Sequence, residues 1–159
     1  MIETNILHID SEIGKIVVNK CLKLGYDINL KKLENLMLVI HGKMLIDHNH
    51  PFLVSEIVST ERGIRIPQLE KDFIQYCVSF SDELQEYVPL TKKPTKAIDH
   101  VIKICGHLTA NEISSKAGFN LLHQYCLENG INDIPDEIIK NAFATLTWLD
   151  DGSQKELEC

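Results

Sequence analysis

Ile13, Ile16, Val17, Cys21 and Leu24 recur at three- and four-residue intervals and so share one face of a helix. Asp10 or Ser11 is suited to cap it, because a short oxygen-bearing side chain can accept the unpaired amides of the first turn, and Gly25 to stop it. Asn29 is an equally good cap for a second helix. There Leu33, Leu36, Met37, Ile40 and Met44 keep the period while Leu30, Leu38 and Val39 widen the apolar face. A helix apolar over so much of its circumference is surrounded by others, so it belongs at the centre of the core.

The period changes after Met44. Asp47-His48-Asn49-His50-Pro51 has turn composition, Phe52 to Ser59 suits a short strand, and Ile64 and Ile66 alternate around Arg65, which predicts a small two-stranded element. Pro67 opens a third helix carrying Leu69, Phe73, Tyr76, Cys77 and Phe80, and Ser81 to Leu90 could add a short helical turn. Thr91-Lys92-Lys93-Pro94 reads as a loop, and Thr95 as the start of a helix with Ile98, Val101, Ile102 and Cys105 inward. Thr109-Ala110-Asn111-Glu112 is a capping box. It leads to an apolar face of Phe119, Leu122, Cys126 and Leu127 that ends at Gly130. A last helix starts near Pro135 and buries Ile138, Ile139, Ala142, Phe143 and Leu146. The expected fold is mainly α, a compact bundle of about six helices with a small β-hairpin, in one domain over 1–149 with a flexible tail over 150–159.

Composition narrows the function classes. The 159 residues are 44% hydrophobic and 25% charged, ordinary for a globular chain. Sixteen Lys and Arg against twenty-three Asp and Glu give −7, which counts against a general nucleic-acid binder, since that role needs a positive field. The charge fits a basic protein partner or a neutral surface better. Five widely spaced cysteines among apolar residues read as buried thiols of a reducing, cytoplasmic setting. Met1 to Ile9 lacks the apolar core of a signal peptide, and the longest apolar run, Leu36 to Ile40, is too short for a membrane span.

The order of landmarks resembles the Panacea antitoxin-domain family, which includes SocA-like and phage GepA-like proteins. Ile16 to Cys21 with Gly25-Tyr26 is similar to the family's first helix. Leu33-Glu34-Asn35-Leu36-Met37, continued by His41-Gly42-Lys43-Met44-Leu45, is similar to its core helix. Pro51-Phe52, Glu56 and Gly63-Ile64-Arg65-Ile66-Pro67 stand where the family has a Pro-Leu-Phe segment, an acidic strand and a Gly-Pro-Val-x-Pro motif, with Ile64 in place of the usual Pro. Ile134 to Ile139 and Phe143 resemble its closing helix. The resemblance implies a domain that neutralises a partner protein, a toxin or a host or defence factor, by direct contact.

Candidate chemistry adds little to this. His41, His48 and His50 form the tightest histidine group but lack the His-x-x-x-His spacing of a helical zinc site. Cys105 with His107 and His123 with Cys126 are ligand types, yet both cysteines continue apolar faces, where a thiol acts as a small hydrophobe. Nucleophile-elbow, P-loop and dinucleotide patterns are missing, so no catalytic residue, metal or cofactor is assigned. The surface candidates are Arg62, Ile64 and Arg65, where two cations alternate with apolar residues beside a Gly and a Pro, and Lys92 and Lys93 in the one local basic cluster. The plainer readings are a charge-protected hairpin edge and a solvated loop. The sequence thus points to a non-catalytic protein-binding module. The competing readings are a nucleic-acid-binding regulator of its own operon and a Cys/His metal-dependent enzyme.

Overall fold

The computed structural model describes residues 9–75 and 90–144, which form a mainly helical bundle with one small antiparallel hairpin. The elements are α1 (Ile9–Lys23), α2 (Leu30–His48), β1 (Val58–Thr60), β2 (Gly63–Arg65), α3 (Pro67–Glu70), α4 (Lys92–Cys105), α5 (Ala110–Ser114), α6 (Ala117–Glu128) and α7 (Asp136–Ala144). A π-helical turn over Lys71–Gln75 extends α3. No helix among the described residues is long and apolar enough to cross a membrane.

The central position expected for α2 is the one it takes. Asn29 caps it as anticipated, its Oδ1 accepting the Lys32 N–H at 2.8 Å, and every residue from Lys32 to Gly42 is buried. Helices α1, α4, α5 and α7 all pack against it. The helix continues through Asp47 and His48, which the sequence placed in a turn. It stops where Asn49 adopts a left-handed φ of 52°, a conformation that Asn tolerates better than most residues. Gly25, at φ +82°, and Gly130, at φ +63°, end α1 and α6 as expected.

Gly42 permits a close approach between α2 and α7 in the core. A Cβ there would lie 2.8 Å from Cδ2 of Phe143, whose ring also meets Phe119 edge-on at 5.8 Å between centroids. An alanine gains helix propensity over glycine, about 1 kcal/mol, but here it would push a fully buried ring into a packed interior. Gly42→Ala is therefore expected to lower stability by about 2 kcal/mol net, measured by urea denaturation. A variant as stable as the parent would show that the Phe143 ring can yield.

The hairpin pairs Val58 with Arg65, Ser59 with Ile64 and Thr60 with Gly63. On its other side β1 meets the segment before α7, through Ser59 N–H to Asn132 O at 2.8 Å and Ile134 N–H to Ile57 O at 2.9 Å. β1 is thus an inner strand and β2 an edge.

Several local expectations need correction. Asp10 and Ser11 lie inside α1, fully buried, and Asp10 does not cap that helix. The strand expected over Phe52 to Ser59 begins only at Val58, because the amides of residues 52–55 are taken by side chains described below. Lys92, Lys93 and Pro94 are not a loop but the first turn of α4. Proline is tolerated there because its missing N–H would have had no partner in the helix. Leu24 and Leu127, expected inward, are exposed at the ends of their helices. Tyr76, Cys77, Phe80, most of the Ser81–Leu90 segment, Leu146 and the 150–159 tail lie outside the described residues.

Candidate functional site

The sequence-selected surface residues fall into two places. At the first, the turn joining β1 to β2 is held by Thr60, whose Oγ1 donates to Gly63 O at 2.8 Å and accepts the Arg62 N–H at 3.1 Å. Gly63 has φ +123°, which a side chain would strain. Arg62 therefore projects from a fixed turn into solvent, while Ile64 is partly buried against the core. Arg65 folds back: its Nη1 lies 2.7 Å from Glu70 Oε2 and 3.8 Å from Glu34 Oε1. Of the two arginines, Arg62 is the exposed cation and Arg65 anchors the hairpin to α2 and α3. A groove of about 200 Å³ opens beside the hairpin, lined by Arg62, Ile64, Lys31, Phe119 and His123 among others.

Glu34 forms the floor of this anchor. It is 2% exposed and accepts the Ile66 N–H at 2.8 Å. Burial pushes its carboxyl up to about 8, the contact with Glu70 adds to the rise, and the Ile66 amide and Arg65 oppose it. Near neutral pH Glu34 is held largely as the acid, a form that the hydrogen bond to Glu70 favours. From α6, His123 reaches Thr60 O at 2.7 Å and closes the hairpin from the opposite side.

Lys92 and Lys93 are elsewhere. They stand exposed at the start of α4 and line a groove of about 520 Å³ with Lys43, His48, Lys96 and His100. The first groove contains Lys31 and the second Lys43, so about 18 Å of α2 separates them at 1.5 Å per residue.

The histidines and cysteines singled out in the sequence do not converge. Among the described residues no group of three or more His, Cys, Asp or Glu is placed to hold a metal ion. His41 is buried, and its Nδ1 accepts two backbone amides, Phe52 N–H at 3.1 Å and Leu53 N–H at 2.9 Å. The other nitrogen must then carry the proton, and Nε2–H donates to Asp136 Oδ1 at 2.8 Å. A histidine with both nitrogens so engaged fastens α2, the 52–53 segment and α7 together, and has no lone pair left for a metal or a substrate proton. His48, His50 and His107 are exposed. Cys21, Cys105 and Cys126 are free buried thiols, and burial raises all three, Cys105 to about 12, against thiolate formation.

Three further buried polar residues have partners that the sequence does not reveal, Asp10 among them despite its reading as a helix cap. Asp10 accepts the amides of Val54 at 3.0 Å and Ser55 at 2.8 Å, as well as the Ser55 hydroxyl. Asp72 accepts the Ser11 hydroxyl at 2.5 Å. Lys32 Nζ donates to Asp27 O at 2.5 Å and Gly106 O at 2.7 Å, tying the start of α2 to the end of α4. The available signal was a polar residue beside apolar ones: Glu34 and Asn35 follow Leu33, and His41 follows the apolar run Leu36 to Ile40.

Asp10 from α1 and Glu34 and His41 from α2 thus fasten the irregular 49–66 segment to the bundle, and the sequence-selected surface residues lie at the hairpin turn and in the lysine groove. No protein-family model, no curated protein and no solved structure matches the chain.

Proposed function

We propose that this chain is a non-catalytic protein-binding module of the cytoplasm, antitoxin-like as its resemblance to the Panacea family implies, which neutralises a toxin or a host or defence factor by covering its working surface. The observation that carries this reading is the hairpin. Its turn is fixed by Thr60 and Gly63, anchored by Arg65 to Glu70 and Glu34, and tethered by His123, so that Arg62 is presented on a rigid frame. Rigid presentation lowers the entropic cost of association, and arginine suits an interface because its planar fork binds carboxylates while its stem packs on apolar surface. The engagement of His41 and the raised thiols favours this reading over a Cys/His enzyme. The overall charge of −7 favours it over an operon regulator that binds DNA.

Arg62→Glu should weaken capture of a partner at least tenfold in quantitative affinity purification from host cells while shifting the melting temperature by less than about 2 °C, since the residue is exposed. Equal capture by both proteins would remove the hairpin from the interface.

A further inference from the structure

The lysine groove has a charge pattern that the fold does not explain. Helix α4 begins with Lys92 and Lys93, carries Lys96 one turn later and has no acidic residue in its first turn. Cations at this end oppose the helix dipole, which favours negative charge at the N-terminus. Thr91, at the cap position, makes no side-chain cap hydrogen bond to the first-turn amides. The inward face of α4, with Ala97, Ile98 and Val101 buried, does not require the lysines, which are exposed and have no ion-pair partner among the described residues. Across the groove, Lys43 on α2 adds a fourth ammonium, 2.9 Å from Asp47, the one carboxylate in the lining among the described residues. In a chain of net charge −7, four lysines around one aspartate form a local reversal of sign. Such a conflict between local charge and helix stability marks a site kept for another reason.

From this juxtaposition we infer that the groove between the C-terminal half of α2 and the start of α4 is the docking site for an acidic peptide segment of a partner protein. The inference rests on the protein-binding reading above and adds the partner's chemistry. Charge complementarity selects an anion. The groove's size, about 520 Å³, suits a few side chains of an extended segment. Nucleic acid fits less well, because among the described residues no Phe, Tyr or Trp lines the groove to stack on bases, and a strand running past it would enter the negative field of the rest of the chain. The amides of the first turn add donors for a carboxylate, but the lysines carry the recognition.

The test is fluorescence anisotropy on the full chain, with a labelled peptide of eight alternating Asp and Glu residues as probe. A neutral Ser/Gly peptide and an eight-nucleotide single strand of the same length serve as comparisons. The expected result is saturable binding of the acidic peptide that weakens with salt and falls at least tenfold in the triple variant Lys92→Glu, Lys93→Glu and Lys96→Glu. That variant should melt at the same temperature as the parent or higher, because acids at the start of α4 complement its dipole. Arg62→Glu should bind the acidic peptide as the parent does, so loss of the hairpin interface and loss of this one are distinguishable. Binding of the acidic peptide that survives the triple variant would overturn the inference. So would tighter, lysine-dependent binding of the oligonucleotide, which would make the groove a nucleic-acid surface, and so would a drop in melting temperature, which would make the lysines structural.

Discussion

Replacing His41 with alanine is expected to lower the unfolding free energy by about 4 kcal/mol. The cost has two parts. The amides of Phe52 and Leu53 lose their acceptor in a buried setting, and the bond from Nε2–H to Asp136 disappears, so that α7 is no longer fastened to the centre of α2. His41→Asn separates the two, because its Oδ1 can stand near the position of Nδ1 and accept the amides while leaving Asp136 without a donor. It should recover roughly half of the loss, read by urea denaturation. An alanine variant within about 1 kcal/mol of the parent would mean that the 52–53 amides find other partners and that His41 is retained for something other than the fold.

Glu34 should make the protein less stable in alkali. Its folded-state value, about 8, lies above the ordinary 4.5 of a glutamate. Its contribution is therefore fully present below about pH 4.5 and is lost as pH rises through 8, because the unfolded chain gives up this proton first. Crossing that window should cost up to about 5 kcal/mol. An ionised Glu34 would face Glu70 without the hydrogen bond that favours its acid form, and the hairpin anchor would loosen with it. Glu34→Gln keeps an acceptor for the Ile66 N–H and a donor toward Glu70 while removing the ionisable group. The variant should match the parent within about 1 kcal/mol at pH 5.5 and exceed it clearly at pH 9. Parallel loss of stability in the two proteins between those values would show that Glu34 does not control the pH response.

Both residues bear on what could be read from the sequence. The helices were legible because their apolar spacing is intrinsic to the chain, and because Asn29, Thr109, Gly25 and Gly130 act locally, through a side chain or a φ angle within a few residues. The 49–66 segment was only partly legible. The amides of residues 52–55 are satisfied by Asp10 and His41, which lie 45 and 12 positions away from their farthest partners in that segment, and no local pattern reports such pairings. Asp10 shows the ambiguity directly: the carboxylate that could have capped α1 instead caps the distant loop at Val54 and Ser55. Lys92 and Lys93 are legible as a basic cluster, but Pro94 points to a loop there, whereas it sits in the first turn of α4. Their neighbours Lys43 and His48 come from another helix and become visible only once α2 and α4 pack. The distinction between Arg62 and Arg65 was likewise not local, because it depends on Glu34 and Glu70.

The proposed contact is that of a partner protein with the hairpin turn, which Arg65, Glu34 and His123 hold in place. It is tested most directly by placing a photo-crosslinking amino acid at position 62, and separately at the exposed position 103 on α4, in cells. A discrete protein adduct from position 62 that is missing from position 103 is the expected result. No adduct at 62, or the same smear of adducts from both positions, would contradict the claim.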